Sequence, residues 1–229
     1  MMKKSAALVL VCKRPKLGFG KQRLATSLGV EMTQRVAEAL LDCALEDLRS
    51  WAGLVVIAPS SQEDVEWATA LMRQPNVWVQ PQMLGNLGQR LKSLDFELRS
   101  KGIKRLIYIG SDSPGLGEKD YAAVCDALQH QDVVLMPATD GGVVLMASNY
   151  PWPSLADLPW SSNQLGDALA DCCRDKGQSV AILRESFDID EVEDVVKLAE
   201  VLAEDLRPAR RVLHELASHI ISLASTNHV

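Results

Sequence analysis

Short unbroken runs of apolar residues alternate with helix-length amphipathic stretches along almost the whole chain, and that alternation limits the folds open to it. The runs fall at 7–12 (ALVLVC), 54–58 (LVVIA), 77–79, 106–109 (LIYI), 133–136 (VVLM), 143–147 and 180–183. A strand buried on both faces reads as such a run, whereas a half-exposed strand alternates apolar with polar. Between the runs, segment 31–51 carries Val36, Leu40, Leu41, Ala44, Leu45 and Leu48 at helical spacing. Further helices are expected at 61–73, 86–101, 119–129 and 163–176, from the FDIDEVEDV stretch to Leu202, and at 209–223 beyond Pro208. Strand–helix alternation predicts a single-domain three-layer α/β/α sandwich around a mostly parallel mixed sheet. We expect that domain to cover 1–204, with 205–229 as a C-terminal helical extension. Its apolar residues Val212, Leu213, Leu216, Ile220 and Leu223 would pack on their own domain or pair two copies as a homodimer.

Charge and composition exclude several classes. A net charge of −6 argues against nucleic-acid binding, which needs a basic footprint. No stretch approaches the ~18 apolar residues of a membrane span. Lys3 and Lys4 before the first apolar run imitate a signal peptide. That run is short, however, and CKRPK follows it where a small-residue cleavage site would be needed, so a first strand and a cytoplasmic protein are expected. Cys12, Cys43, Cys125, Cys172 and Cys173 show no CxxC spacing and read as free thiols in a reducing compartment. His130, His214, His219 and His228 show no metal-ligand spacing.

In sheets of this kind ligands bind at the carboxyl ends of the strands. The loops 13–23, 110–117, 137–142 and 186–190 all follow strands and could share one edge. The first holds Lys13, Arg14, Lys16, Lys21 and Arg23 among Pro15, Gly18 and Gly20. Glycine lets backbone N–H groups approach an anion and the cations neutralise it, so the loop suits a triphosphate; a solvated basic loop is the plain alternative. It is no Walker A motif, because Gln22 follows Lys21, and no dinucleotide fingerprint, because Arg23 stands where the third glycine belongs.

Asp112, in Gly110-Ser111-Asp112-Ser113-Pro114, sits where a hard cation could rest, or makes an ordinary Asx turn. Asp188 and Asp190 point to one side with Ile189 inward, either as ligands or with Asp190 capping a helix against Glu193. Asp140-Gly141-Gly142 allows close backbone approach to a ligand, or is a hairpin turn. Trp152 and Trp160 with Pro151, Pro153 and Pro159 form an acceptor lid or anchor a long loop.

Together, in this order, these motifs resemble a small bacterial family described as glycosyltransferase-like or nucleotidyltransferase-like. It has the GT-A (nucleotide-diphospho-sugar transferase) fold and is related to phospholactate guanylyltransferase and molybdenum-cofactor guanylyltransferase. The family pattern KxPxPGxxKTRL appears as KRPKLGFGKQRL, keeping Lys13, Pro15, Gly18, Lys21, Arg23 and Leu24. PQxxGxLGxRL keeps Gly85, Leu87, Gly88 and Arg90, and GSDSPxL is intact from Gly110 to Leu116. DGG stands at 140–142, the WST block appears as Trp160-Ser161-Ser162, and DxDxxxD keeps Asp188, Asp190 and Asp194. Gln22, Leu17 and the Val143-Val144 pair depart from the pattern, the last replacing two tyrosines.

The resemblance implies a Mg²⁺- (or Mn²⁺-) dependent nucleotidyltransferase that joins a nucleotide from a nucleoside triphosphate to a small phosphorylated or hydroxy acceptor. Its alternatives are a glycosyltransferase using a nucleotide sugar and, given the lost tyrosines, an inactive nucleotide-binding or assembly protein. It implies catalytic roles for Lys21, Arg23 and Asp112, and phosphate binding by Lys13, Gly18, Lys21, Arg23, Gly88 and Arg90. Acceptor binding would fall to Asp140, Gly141, Gly142, Trp160 and Ser161, and the metal to Asp112, Asp188 and Asp190.

Overall fold

The computed structural model describes residues 6–226; residues 1–5 and His228 lie outside them. Seven strands form one sheet: β1 (Ala7–Cys12), β2 (Val55–Pro59), β3 (Val77–Val79), β4 (Leu106–Gly110), β5 (Val133–Pro137), β6 (Val143–Ser148) and β7 (Val180–Ile182). Their spatial order is β3-β2-β1-β4-β6-β5-β7. Every neighbouring pair is parallel except β4–β6 and β5–β6, so the sheet is mixed, with β6 alone reversed. The reversal follows from chain length. Only residues 138–142 separate β5 from β6, too few for a crossover, so the two must meet as a hairpin.

Eight α-helices complete the described chain: α1 (Gln22–Leu28), α2 (Val30–Ser50), α3 (Val65–Leu71), α4 (Leu87–Ser100), α5 (Glu118–Ala127), α6 (Leu165–Arg174), α7 (Val192–Leu202) and α8 (Pro208–Thr226). One sheet face is covered by Leu41, Leu45 and Leu48 of α2 with Tyr121 and Val124 of α5. The other takes Leu91, Leu94 and Leu98 of α4 with Leu169 and Cys173 of α6. A third cluster lies behind α2, where Val36, Leu40 and Cys43 meet Leu24, Val195, Leu198 and Leu213. The α2 helix is therefore apolar on two sides, and α7 and α8 form a further layer outside it. No helix among the described residues is long and apolar enough to cross a membrane.

The last helix closes this third core with its own domain's side chains: Leu213, Ala217 and Ile220 are buried there, while Val212 faces outward. Beside them Arg210 is completely buried. Its guanidinium lies 2.9 Å from Glu46 and 2.7 Å from Asp47, and donates to the carbonyls of Cys43, Pro114 and Leu116. Tyr121 donates to Asp47 from across the core (2.8 Å), and Arg207 joins the same carboxylate at 3.1 Å. Three helices and the 113–116 loop thus meet on one buried ion network.

Two local expectations need correction. Residues up to 23 are not all loop, because α1 begins at Gln22. Asp190 does not cap α7 with Glu193: Glu191 is the N-cap, and Asp194 returns its carboxylate to the N–H groups of Asp190 (2.9 Å) and Glu191 (2.8 Å). All five cysteines are free, and burial pushes the thiols of Cys12, Cys43 and Cys173 up to about 12.

Candidate functional site

From β1 the chain runs to β2 and β3 on one side, and then returns so that β4 lies on the other side of β1. The sheet order reverses between β1 and β4, and a crevice opens at their carboxyl ends for that topological reason. Loop 13–21 leaves β1 there, and Gly110-Ser111-Asp112 leaves β4.

Lys21 is the hub. Its backbone is left-handed (φ 44°, ψ 46°) as the residue that starts α1, a conformation costing a non-glycine residue roughly 1–2 kcal/mol. That turn sends the side chain inward, where only 8% of it is exposed. The ammonium lies 3.2 Å from Asp112 and 3.5 Å from Asp190, and donates to the carbonyl of Ile189. A backbone bond from Ile189 N–H to the Asp112 carbonyl (3.1 Å) ties the late 188–190 segment to the β4 loop. Carboxylates from two separate loops, after β4 and before α7, thus share one cation.

Beside this cluster is a cavity of about 400 Å³, a volume typical of small-molecule sites. Its polar end is lined by Lys13, Gly20, Lys21, Ser111, Asp112 and Asp190, and its apolar wall by Leu87, Leu91, Tyr108, Met146 and Trp160. Gln82 and Arg90 also line it. Arg90 has neither an ion pair nor a side-chain hydrogen bond among the described residues; its Nε is buried without a partner, and burial lowers its pKa below the usual arginine value. Asp188 titrates at about 6, raised first by burial and then by the charges of Asp140, Asp190 and Asp112.

Several residues expected at the site lie elsewhere. Arg23 points outward to Glu191 at 3.2 Å, with 73% of its side chain exposed, and does not line the cavity. Gly18, with φ 75°, belongs to the turn between Lys16 and Phe19 and stays off the cavity wall. Gly88 is no approach point for a phosphate: a Cβ there would stand 1.9 Å from the Leu155 carbonyl oxygen and 2.5 Å from the Trp160 ring nitrogen. The glycine is needed because α4 and the 149–162 excursion touch backbone to backbone. Gly88→Ala is accordingly expected to lower stability by about 1–3 kcal/mol, measurable by denaturant unfolding without any ligand.

Asp140-Gly141-Gly142 is the β5–β6 hairpin turn. Asp140 accepts from Gly142 N–H (2.9 Å), and the space a Cβ on Gly141 would need is filled by the Asn163 carbonyl at 2.1 Å. The Cβ side of Gly141 is therefore taken by the neighbouring backbone. Ser161 (φ 63°) is exposed and off the cavity wall; Trp160 is on it, held by a 2.7 Å bond from its ring N–H to the Leu155 carbonyl. The metal trio shares one neighbourhood but forms no ready cage. Among the described residues no three acid, histidine or cysteine side chains form a ready cation cage, Asp188 does not line the cavity, and Lys21 fills the gap between Asp112 and Asp190. Sequence reading missed Gln82, which stands three residues past β3 as the glutamine of the PQxxGxLGxRL pattern.

A mixed sheet of this order with its site at the β1–β4 reversal is the nucleotide-diphospho-sugar transferase fold. The chain is similar over 93% of its length to a protein of Desulfovibrio desulfuricans G20 provisionally described as a nucleotide-diphospho-sugar transferase (97% of that chain, TM-score 0.82, 20% identity). A cytidylyltransferase from Leptospira borgpetersenii shares the fold more distantly (TM-score 0.53, 12% identity, 94% and 95% of the two chains). So does 4-diphosphocytidyl-2C-methyl-D-erythritol synthase from Anaerococcus prevotii (TM-score 0.51, 10% identity, 84% and 96%). No curated protein matches the sequence at a significant level. The chain belongs to the family DUF2064, described as an uncharacterized protein conserved in bacteria, whose model matches residues 26–162. That segment includes Arg90, Asp112 and Asp140, but neither Lys21 nor Asp190.

Proposed function

We propose that the chain is a divalent-metal-dependent nucleotidyltransferase that moves a nucleotide from a nucleoside triphosphate to a small phosphorylated or hydroxy acceptor, releasing pyrophosphate. The observation that carries this reading is the Lys21 ammonium between Asp112 and Asp190 at the rim of the cavity. Fixed cations and cation-binding carboxylates in one place are what a polyphosphate requires.

The donor set suits Mg²⁺ or Mn²⁺. All the candidate ligands are hard carboxylate oxygens, and Asp188, raised first by burial, is raised further by the nearby charges of Asp140, Asp190 and Asp112. Mg²⁺ takes one or two carboxylates and completes its shell with waters and substrate phosphates, so a missing three-residue cage does not count against it. Asp112 and Asp190 would hold the ion, with Asp188 behind them. When bound, it would neutralise charge on the phosphate oxygens.

In this reading Lys21 and Lys13 bind the triphosphate and oppose the charge that grows on the leaving pyrophosphate. The acceptor oxygen forms its bond to the α-phosphorus as the bond to the β-phosphate breaks. Trp160 and the apolar wall exclude water that would otherwise compete as acceptor. Transfer of a sugar from a nucleotide sugar is the competing chemistry on this fold. Incubation with each triphosphate, Mg²⁺ and candidate acceptors separates the two: pyrophosphate release is expected, and turnover of nucleotide sugars without it would overturn the proposal.

Asp112 is 43% exposed and anchors no core contact. Asp112→Asn is therefore expected to leave unfolding within about 0.5 kcal/mol of wild type. The same variant should abolish the Mg²⁺-dependent part of the thermal shift given by a nucleoside triphosphate. An undiminished shift would remove Asp112 from the site.

A further inference from the structure

We infer that Asp64 is a positioning residue for the triphosphate site: from outside the cavity it holds loop 13–21 so that Lys13 and Lys21 stand on the cavity wall. The inference rests on the nucleotide reading above. Asp64 ends the short turn Gln62–Asp64 ahead of α3, is only 4% exposed and does not line the cavity. Its carboxylate lies 3.0 Å from the Lys16 ammonium and 3.8 Å from the Arg14 guanidinium, and has no other ion pair or side-chain hydrogen bond among the described residues. A buried carboxylate cannot turn to water for compensation, so cations must be brought to it. Here both come from the loop. Arg14 also lies over the ring of Trp67 on α3, 6.0 Å from its centre, which adds to the hold on the same stretch.

The loop passes that hold along. Phe19 N–H donates to the Lys16 carbonyl (3.0 Å), closing a turn through Gly18 at φ 75°, and the Gln22 side chain donates to the Gly18 carbonyl (3.1 Å). Lys21 stands between these two anchored residues, with its ammonium between Asp112 and Asp190. Loop 13–21 is therefore tied twice, by Asp64 near its start and by the carboxylates of the site at its end. A triphosphate disturbs the second tie, because it engages the same ammonium. The tie to Asp64 lies off the cavity wall and stays intact. Without it the loop would have to be ordered anew on binding, at a cost in affinity. Charge alone predicts the reverse, since removing a carboxylate near a polyanion site should tighten binding. Positioning and simple charge thus differ in sign at Asp64.

Calorimetric titration in Mg²⁺ with ATP, CTP, GTP, UTP and inorganic tripolyphosphate tests this on wild type, Asp64→Asn, Lys16→Met and the double variant, each well below its melting temperature. Asp64→Asn should weaken the compounds that wild type binds by about fivefold or more, although it removes a negative charge. Lys16 does not line the cavity and its side chain is 44% exposed, so Lys16→Met tests the same tie from the loop side with little risk to folding. It should cause a similar loss, and that loss should persist at about 0.5 M salt, where long-range charge is screened. The double variant should be no worse than either single one, because both cut one tie; effects of charge alone would cancel in it and restore wild-type affinity. Unchanged or tighter binding in Asp64→Asn, a Lys16→Met loss under about twofold, or a double variant back at wild-type affinity would each overturn the inference and leave the nucleotide reading standing. Wild type that binds none of the five compounds would instead overturn the nucleotide reading, and this inference with it.

Discussion

Lys21→Ala is expected to cut pyrophosphate release about 10²- to 10³-fold, the usual effect of removing one pre-positioned group from a site where charge develops. The structure leaves few neighbours to substitute. Arg23 is turned to Glu191, Arg14 and Lys16 are drawn to Asp64 at 3.8 and 3.0 Å, and Lys13 alone remains as a second cavity-lining lysine. Lys21 also separates Asp112 from Asp190, so its loss sets carboxylates against each other where the triphosphate would lie. Nucleotide affinity should fall along with turnover. Lys21→Arg should not rescue it, because a planar guanidinium does not fit where a compact ammonium contacts two carboxylates and a carbonyl. Wild-type nucleotide affinity in Lys21→Ala would exclude Lys21 from the phosphate site.

The largest expected loss of stability is at Arg210. Replacing it by methionine keeps most of the volume but leaves Asp47 buried without its nearest counter-charge, and removing one partner of a buried pair costs about 3–5 kcal/mol. In a domain of this size that corresponds to a melting temperature lower by roughly 10 °C or more. The sign of the pH dependence follows from Asp47. Burial already holds its folded pKa above the ordinary carboxylate value, against the opposing pull of Arg210. Without Arg210 it rises further. A carboxyl whose folded pKa exceeds its unfolded one contributes stability below the unfolded pKa and loses it as pH rises through the folded pKa. The penalty of Arg210→Met should therefore be smaller at about pH 5 than at about pH 8 in thermal melts. A penalty independent of pH would show that Asp47 is not the group left uncompensated. Because Arg210 also holds the carbonyls of Pro114 and Leu116, just past Asp112, the variant should lose activity at temperatures below its melting point.

The strands were legible because buried parallel strands leave continuous apolar runs, and the edge holding Lys21 and Asp112 followed from strand–helix alternation. The reversal of β6 was implicit in the short 138–142 turn. Other features were hidden for specific reasons. A glycine that admits a ligand and one that admits a neighbouring backbone are identical in sequence. Gly88 and Gly141 both proved to be of the second kind, against Leu155 and Asn163. Arg23 matches a motif, yet its direction depends on Glu191, far away in the chain. Arg90 and Arg210 carried a signal of another sort. Each lies in phase with a helical apolar stripe, Leu87–Leu98 in one case and Leu213, Ala217 and Ile220 in the other, so each turns inward, Arg210 completely buried and Arg90 half-buried. Phase alone could not tell them apart. Arg210 meets two carboxylates, and Arg90 meets none.

Diffraction from crystals grown with a nucleoside triphosphate and Mn²⁺ tests the central claim most directly, because the ion scatters anomalously. The expected result is one manganese peak at the Asp112 carboxylate, with the triphosphate beside it and the Lys21 ammonium on its oxygens. A nucleotide bound away from the β1–β4 crevice, or a manganese peak remote from Asp112, would contradict the account.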